Sequence, residues 1–245
     1  MTILREQAAK WRHVFKLDPN RTISNLALKL VCNAGTDAII VGGTDGITFK
    51  NTWDLLNRVR EYPVPCVQEV SDINAVVPGF DGYLIPTVIN TKDSRWIHGA
   101  HLDALRKYGD VVPWDKVLLL GYVVLNPEAK VARLTKAETD CGEEQMVAYA
   151  RLVEHLFQWP VLYMEYSGRF GDMDMVKAAR SVCGQSRIFY GGGIATKEQT
   201  MEVAKVADTV VVGNLIYTHA ERAARTVKWV KETDGKGERS VKNGR

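Results

Sequence analysis

Short runs of β-branched and aromatic residues alternate along this chain with stretches whose apolar positions recur at helical spacing, and no composition shift or linker interrupts them. The first kind predicts strands over 12–18, 37–41, 65–70, 82–86, 116–125, 161–166, 188–190 and 209–212. The second predicts helices over 24–33, 52–60, 94–108, 143–157, 173–181 and 220–231, with a further helical stretch between Ile194 and Thr209. Eight strands alternating with helices fit a closed parallel barrel better than an open doubly wound sheet, so the expected fold is α/β, a (β/α)8 TIM barrel in one domain. The barrel is expected to span 1–230, and 231–245 reads as a polar, basic, disordered tail.

The glycines fall where strands end. Tyr190 is followed by Gly191-Gly192-Gly193, and Val212 by Gly213-Asn214; a parallel pair with its crossover helix brings two such ends side by side. Backbone N–H groups freed of Cβ can there surround a phosphate, and barrels of this kind often build a phosphate site after strands seven and eight. The plainer alternative is that the three glycines only make a tight strand-to-helix turn. No GxGxxG opens a helix after the first strand, which counts against a dinucleotide fold.

Composition adds little. The 245 residues are 46% apolar and 25% charged, ordinary for a soluble globular protein, and much of the net charge of +3 lies in the last stretch, so nucleic acid is not an expected partner. Four cysteines at 32, 66, 141 and 183 show no zinc spacing and read as free thiols. The amphipathic start is not a signal peptide and no apolar run approaches the roughly 18 residues of a membrane span, so a cytoplasmic protein is expected. The histidines show no metal-helix pattern; His98 and His101 read as solvated or partly packed.

Catalytic groups of such barrels occupy the carboxyl rim, where Lys16, Asp18, Thr44, Glu69, Glu165, Tyr166, Gly193, Gly213 and Asn214 would converge. Lys16 is a cation suited to a phosphate, and Asp18 and Thr44 are hard oxygen donors of the kind magnesium takes when it also holds a diphosphate. Plainer roles are an ion pair between Lys16 and Asp18, and Asp18 as a turn residue before Pro19-Asn20. Glu165 is a candidate proton acceptor, or else a buried partner of Lys16, and Tyr163 and Tyr166 fit barrel packing equally well.

Six stretches in register carry a resemblance: 14–19 (VFKLDP), 40–46 (IVGGTDG), 78–81 (PGFD), 163–168 (YMEYSG), 190–194 (YGGGI) and 212–214 (VGN). From about Trp11 to Val230 the chain resembles the geranylgeranylglyceryl phosphate synthase family, and within it the bacterial PcrB-type heptaprenylglyceryl phosphate synthases. The resemblance implies a modified TIM barrel, usually a homodimer, that joins sn-glycerol 1-phosphate to a polyprenyl diphosphate and needs Mg2+. By position, Lys16, Tyr163, Met164, Glu165, Tyr166, Ser167, Gly168, Gly193, Gly213 and Asn214 would bind glycerol 1-phosphate, with Glu165 and Lys16 catalytic and Asp18 and Thr44 serving the metal. Many relatives have serine at the position of Thr44, which keeps the hydroxyl. Such barrels also lack one wall helix, so 71–79 is expected to be non-helical, and peripheral membrane contact would suit a lipid product.

Ala104 is expected to set the donor's length: relatives using a twenty-carbon donor carry a bulky aromatic there, and a methyl leaves room for a longer, heptaprenyl tail. Its plainer role is that of a good helix former. Two rival functions share the fold, a phosphosugar isomerase or aldolase and a non-catalytic phosphate-binding barrel; a Schiff-base aldolase would want a strand-borne lysine in a desolvated setting, for which Lys16 beside Asp18 is a poor candidate.

Overall fold

In the computed structural model, which describes residues 2–234, eight strands pair in parallel with their sequence neighbours and the last closes on the first. They are β1 (His13–Leu17), β2 (Ala38–Val41), β3 (Cys66–Glu69), β4 (Gly82–Val88), β5 (Val117–Val124), β6 (Val161–Glu165), β7 (Arg187–Gly191) and β8 (Thr209–Val212). Parallel pairing throughout puts every carboxyl end on one rim.

Alternation along each strand sorts the side chains into two cores. Val14, Ile40, Val67, Leu84, Leu120, Tyr163, Phe189 and Val211 fill the barrel interior. Phe15, Ile39, Val41, Leu162, Met164, Ile188 and Val210 face outward under the helices. The helices are α1 (Ile3–Ala8), α2 (Asn25–Cys32), α3 (Phe49–Val59), α4 (Ala100–Tyr108), α5 (Lys130–Thr135), α6 (Glu143–Arg151), α7 (Met173–Arg180), α8 (Lys197–Val206), α9 (Leu215–Thr218) and α10 (Ala220–Asp234). Their starts follow side-chain chemistry: Ser24 caps α2 through the Ala27 amide, and Thr48 and Thr196 each close a capping box, with Asn51 and Gln199.

The strands sit where the pattern put them, within a residue or two. Between β3 and β4 there is a single 3-10 turn, Ile73–Ala75, in place of a wall helix. The helix expected over 94–108 opens with a π turn, Arg95–Gly99, before α4, and the one over 143–157 ends in another, Leu152–Phe157. α10 runs on to Asp234, four residues past the expected boundary at 230/231, and the rest of the expected tail, 235–245, lies outside the described residues.

Three short helices were not expected. α1 stoppers the amino end of the barrel with Leu4 and Ala8, packed in the interior core with Trp11. Six residues are too few to show a helical period, so it is the packing against β5 that fixes it. α5 and α9, of six and four residues, are no longer than α1. A buried pin joins β1 to the outer layer: His13 Nδ1 and Nε2 each lie 2.9 Å from a threonine hydroxyl, of Thr36 and Thr226. Burial, and then the Lys231 charge, lower the His13 pKa to about 3, so the ring is neutral.

Candidate functional site

Inward alternation on β1, β3, β5 and β6 sends Lys16, Glu69, Tyr122 and Glu165 into the top of the barrel. The Lys16 ammonium lies 2.7 Å from Glu69 Oε1 and donates to Glu69 Oε2 at 2.9 Å and to the Tyr122 hydroxyl at 3.1 Å; Glu165 Oε2 is 3.9 Å away. The Tyr122 hydroxyl lies 3.1 Å from Oε2 of both Glu69 and Glu165, and its one proton is donated to either. Ser167 turns back on the same carboxylate, donating to Glu165 Oε1 from its amide at 2.7 Å and its hydroxyl at 2.8 Å. Tyr163 stacks on Tyr122 with ring centroids 4.3 Å apart, and its buried hydroxyl lies against Gly191 without a hydrogen-bond partner.

Burial by itself lowers the Lys16 pKa, but the carboxylates of Glu69 and Glu165 outweigh it and the net direction is up. Lys16 is therefore an ammonium, which rules out the amine nucleophile a Schiff-base aldolase requires. Burial, then Glu69, raises the Tyr122 pKa well above its usual value, so Tyr122 remains a donor. Taking one cation and two carboxylates out of water is costly, and apolar side chains would hold a barrel together at least as well. Such a cluster marks a place kept for chemistry rather than for stability.

Above it are the glycine ends. β7 and β8 are hydrogen-bonded neighbours, so the loops carrying Gly193 and Gly213 stand side by side. Gly193 has φ +51°, and a Cβ there would land on the backbone of Arg169 and Phe170; only glycine lets these loops meet. Asn214 follows Gly213, and its Oδ1 accepts a 2.7 Å hydrogen bond from Arg21, whose guanidinium stacks on Tyr217 at 3.7 Å. The Tyr217 hydroxyl accepts from the Asp18 amide at 2.8 Å, tying the end of β1 to α9.

Asp18 points the other way round the rim. Its Oδ1 accepts from the Asn20 amide at 2.9 Å, and a Cβ on Gly43 would come within 2.7 Å of that oxygen, so the carboxylate lies on the loop that carries Thr44. Among the described residues no ion pair neutralises Asp18, and no group of three His, Cys, Asp or Glu side chains forms a closed metal site. The Asp18 carboxylate and the Thr44 hydroxyl are hard oxygen donors of the kind that suits a cation which keeps several waters and takes further ligands from a substrate.

The structure thus brings together Lys16, Glu165, Tyr163 and Ser167 in the barrel top, with Gly168, Gly193, Gly213 and Asn214 at the rim above and Asp18 and Thr44 beside it. The plainer alternative of a Lys16–Asp18 ion pair is not what forms: Lys16 pairs with Glu69. Two side chains of the run 163–168 turn away: Met164 and Tyr166 pack in the outer core by strand alternation, so only their backbone borders the site. Tyr122 was missed, although it shares a face of β5 with Leu118 and Leu120, a spacing of two that the sequence displays. Ala104 is half-buried on α4, a helix with no buried residue and hence loosely seated on the barrel wall. Neighbouring His101 bonds Thr87 at 2.8 Å, while His98 is exposed. All four cysteines are free thiols.

Comparison with known proteins agrees with this fold. The model of the PcrB family matches residues 6–231. A heptaprenylglyceryl phosphate synthase of Bacillus mycoides is 51% identical over 223 residues, covering 91% of this chain and 97% of its own. One of Anoxybacillus flavithermus is 53% identical over 221 residues, covering 90% and 96%. Among solved structures, (S)-3-O-geranylgeranylglyceryl phosphate synthase of Thermoplasma acidophilum, in complex with sn-glycerol-1-phosphate, superposes with a TM-score of 0.82 at 21% identity over 95% of this chain and 99% of that one, a likeness of fold.

Proposed function

The chain belongs to the PcrB family, and from that premise we propose that it is a prenyltransferase joining sn-glycerol 1-phosphate to heptaprenyl diphosphate through an ether bond, with release of diphosphate. The observation that carries this reading is the buried cluster of Lys16, Glu69, Tyr122 and Glu165 beneath the paired glycine ends of β7 and β8. The phosphate of the acceptor binds the loops of Gly168, Gly193, Gly213 and Asn214, and its glycerol end reaches down toward Glu165. There the carboxylate, held by Ser167 and Tyr122, accepts the proton of the attacking hydroxyl. The glycerol oxygen forms a bond to the allylic carbon as that carbon's bond to the diphosphate breaks, and the electron pair leaves with the diphosphate. Lys16 keeps charge on the cluster balanced while the proton moves, so positioning and preset electrostatics supply most of the rate.

Asp18 and Thr44 would hold Mg2+, which supplies positive charge to the departing diphosphate. The tail runs outward past Ala104, whose methyl leaves space for about thirty-five carbons. Exposed Leu102, Leu105, Val111 and Trp114, close together in the chain on and after α4, support a homodimer formed through this side. The enzyme works in the cytoplasm and meets the membrane peripherally; among the described residues no helix is long and apolar enough to cross one. The test is incubation of labelled glycerol 1-phosphate with heptaprenyl and geranylgeranyl diphosphates and magnesium. An extractable ether lipid is expected, preferentially from the longer donor; with no lipid from either donor, the reading fails.

A further inference from the structure

The ion pair between Lys130 Nζ and Asp45 Oδ2, 2.7 Å long, joins the start of α5, which follows β5, to the loop after β2. Those strands have β3 and β4 between them in the closed ring, so the pair spans a chord of the barrel mouth. The backbone under Lys130 is fixed. Ala129 and Ala132 pack with Val88, Tyr122 and Val124 in the barrel-interior core, Asn126 donates to the Ser167 carbonyl at 2.6 Å, and Thr91 donates to the Thr135 carbonyl at 2.6 Å. The ammonium is not fixed in the same way, because the Lys130 side chain is 65% exposed and that of Asp45 51%. An exposed pair of this kind adds little to stability and opens readily. A flexible lysine on a rigid base, crossing an open mouth to a single carboxylate, is poorly explained as a structural strap.

Asp45 directly follows Thr44, and the Asp18 carboxylate lies on Gly43. We propose that Lys130 is a diphosphate-binding residue, held on Asp45 until the prenyl donor arrives and then transferred to its diphosphate beside Asp18 and Thr44. This rests on the reading of that rim given under Proposed function. Two cations nearer the centre of the mouth are committed elsewhere, Lys16 to Glu69 and Arg21 to Asn214. A diphosphate carries several negative charges on strong acceptor oxygens, so it competes with a lone carboxylate for the ammonium. Asp45 then acts as a gate that keeps Lys130 from binding anions of lower charge.

The two partners have opposite expected effects. In calorimetric titration of the full chain with inorganic pyrophosphate and magnesium chloride, Lys130→Gln weakens binding about tenfold or more, the loss of one charge-assisted hydrogen bond. It raises the KM of the prenyl donor by a similar factor and leaves that of glycerol 1-phosphate unchanged. Asp45→Asn frees the lysine and tightens pyrophosphate binding by about threefold or more, on the same principle. In Lys130→Gln/Asp45→Asn that gain disappears. If both single variants weaken pyrophosphate alike, the pair is a strap and the proposal is wrong; a gain from Asp45→Asn that survives without Lys130 also overturns it. Asp18→Asn separates the two levels of inference. Loss of pyrophosphate binding in Asp18→Asn, with Lys130→Gln within about twofold of wild type, leaves the rim as read and removes Lys130 from it. Binding indifferent to both residues removes the rim assignment as well.

Discussion

Replacing Glu69 by glutamine keeps the shape of the cluster and takes away one charge. In the native chain Lys16 has Glu69 oxygens at 2.7 and 2.9 Å and Glu165 at 3.9 Å, with Glu69 and Glu165 side chains 6% and 7% exposed. Removing one partner of a buried ion pair costs about 3–5 kcal/mol when the other charge is stranded. Here Glu165 remains, so we expect a smaller loss of about 2–3 kcal/mol, which for a domain of this size lowers Tm by roughly 5–10 °C. The functional effect should be larger. With Glu69 neutral, the ammonium is drawn to Glu165, and a carboxylate bound to an ammonium is a weaker proton acceptor. We expect kcat to fall at least about tenfold while the KM for glycerol 1-phosphate changes by less than about threefold. Urea and thermal unfolding give the first quantity, steady-state kinetics at saturating donor the second. A variant that unfolds with wild-type stability, or whose KM rises with kcat intact, would refute the assignment of Lys16 and Glu69 to one charge-balancing unit.

Asp18→Asn should abolish most activity at limiting magnesium while unfolding like wild type, because the side chain lies at the rim and its loss opens no cavity; unchanged magnesium dependence would remove it from the metal site. Ala104→Trp should lower the ratio of specificity constants for the thirty-five-carbon over the twenty-carbon donor by overfilling the groove at α4, and an unchanged ratio would separate Ala104 from the tail. His13 is neutral when folded, with its pKa lowered to about 3 by burial and then by Lys231, so the unfolded chain binds the extra proton below about 6.5. Stability is therefore full above that pH and falls as pH drops, by about 2 kcal/mol at pH 5, a slope that His13→Gln should lack in urea titrations.

What the sequence disclosed follows from periods. Strands such as Thr209–Val212, four consecutive β-branched residues ending on glycine, can hardly be anything but buried parallel strands, and eight of them leave little choice of architecture. The rim residues were legible because polar side chains and glycines stand at strand ends. Partners across the barrel were not: nothing local to Lys16 says that it meets Glu69, 53 positions on, rather than Asp18, two positions on. Which face a strand residue takes is legible only where the strand's phase is known, and treating 163–168 as one run concealed that Met164 and Tyr166 face the helices. Tyr122 lies in a run, VLLLGYVV over 117–124, that is apolar in both phases of its alternation, so the sequence does not mark the face it takes.

Glu165→Gln tests with the fewest side effects whether Glu165 takes the proton from the attacking glycerol hydroxyl. The amide preserves the volume and an acceptor oxygen for Ser167, so the cluster should survive. Glycerol 1-phosphate binding, measured by calorimetry, should stay within about an order of magnitude of wild type while single-turnover ether formation from heptaprenyl diphosphate slows by roughly 100-fold or more. Binding and turnover lost in parallel would make Glu165 a structural partner of Lys16, and turnover at the wild-type rate would put the base elsewhere.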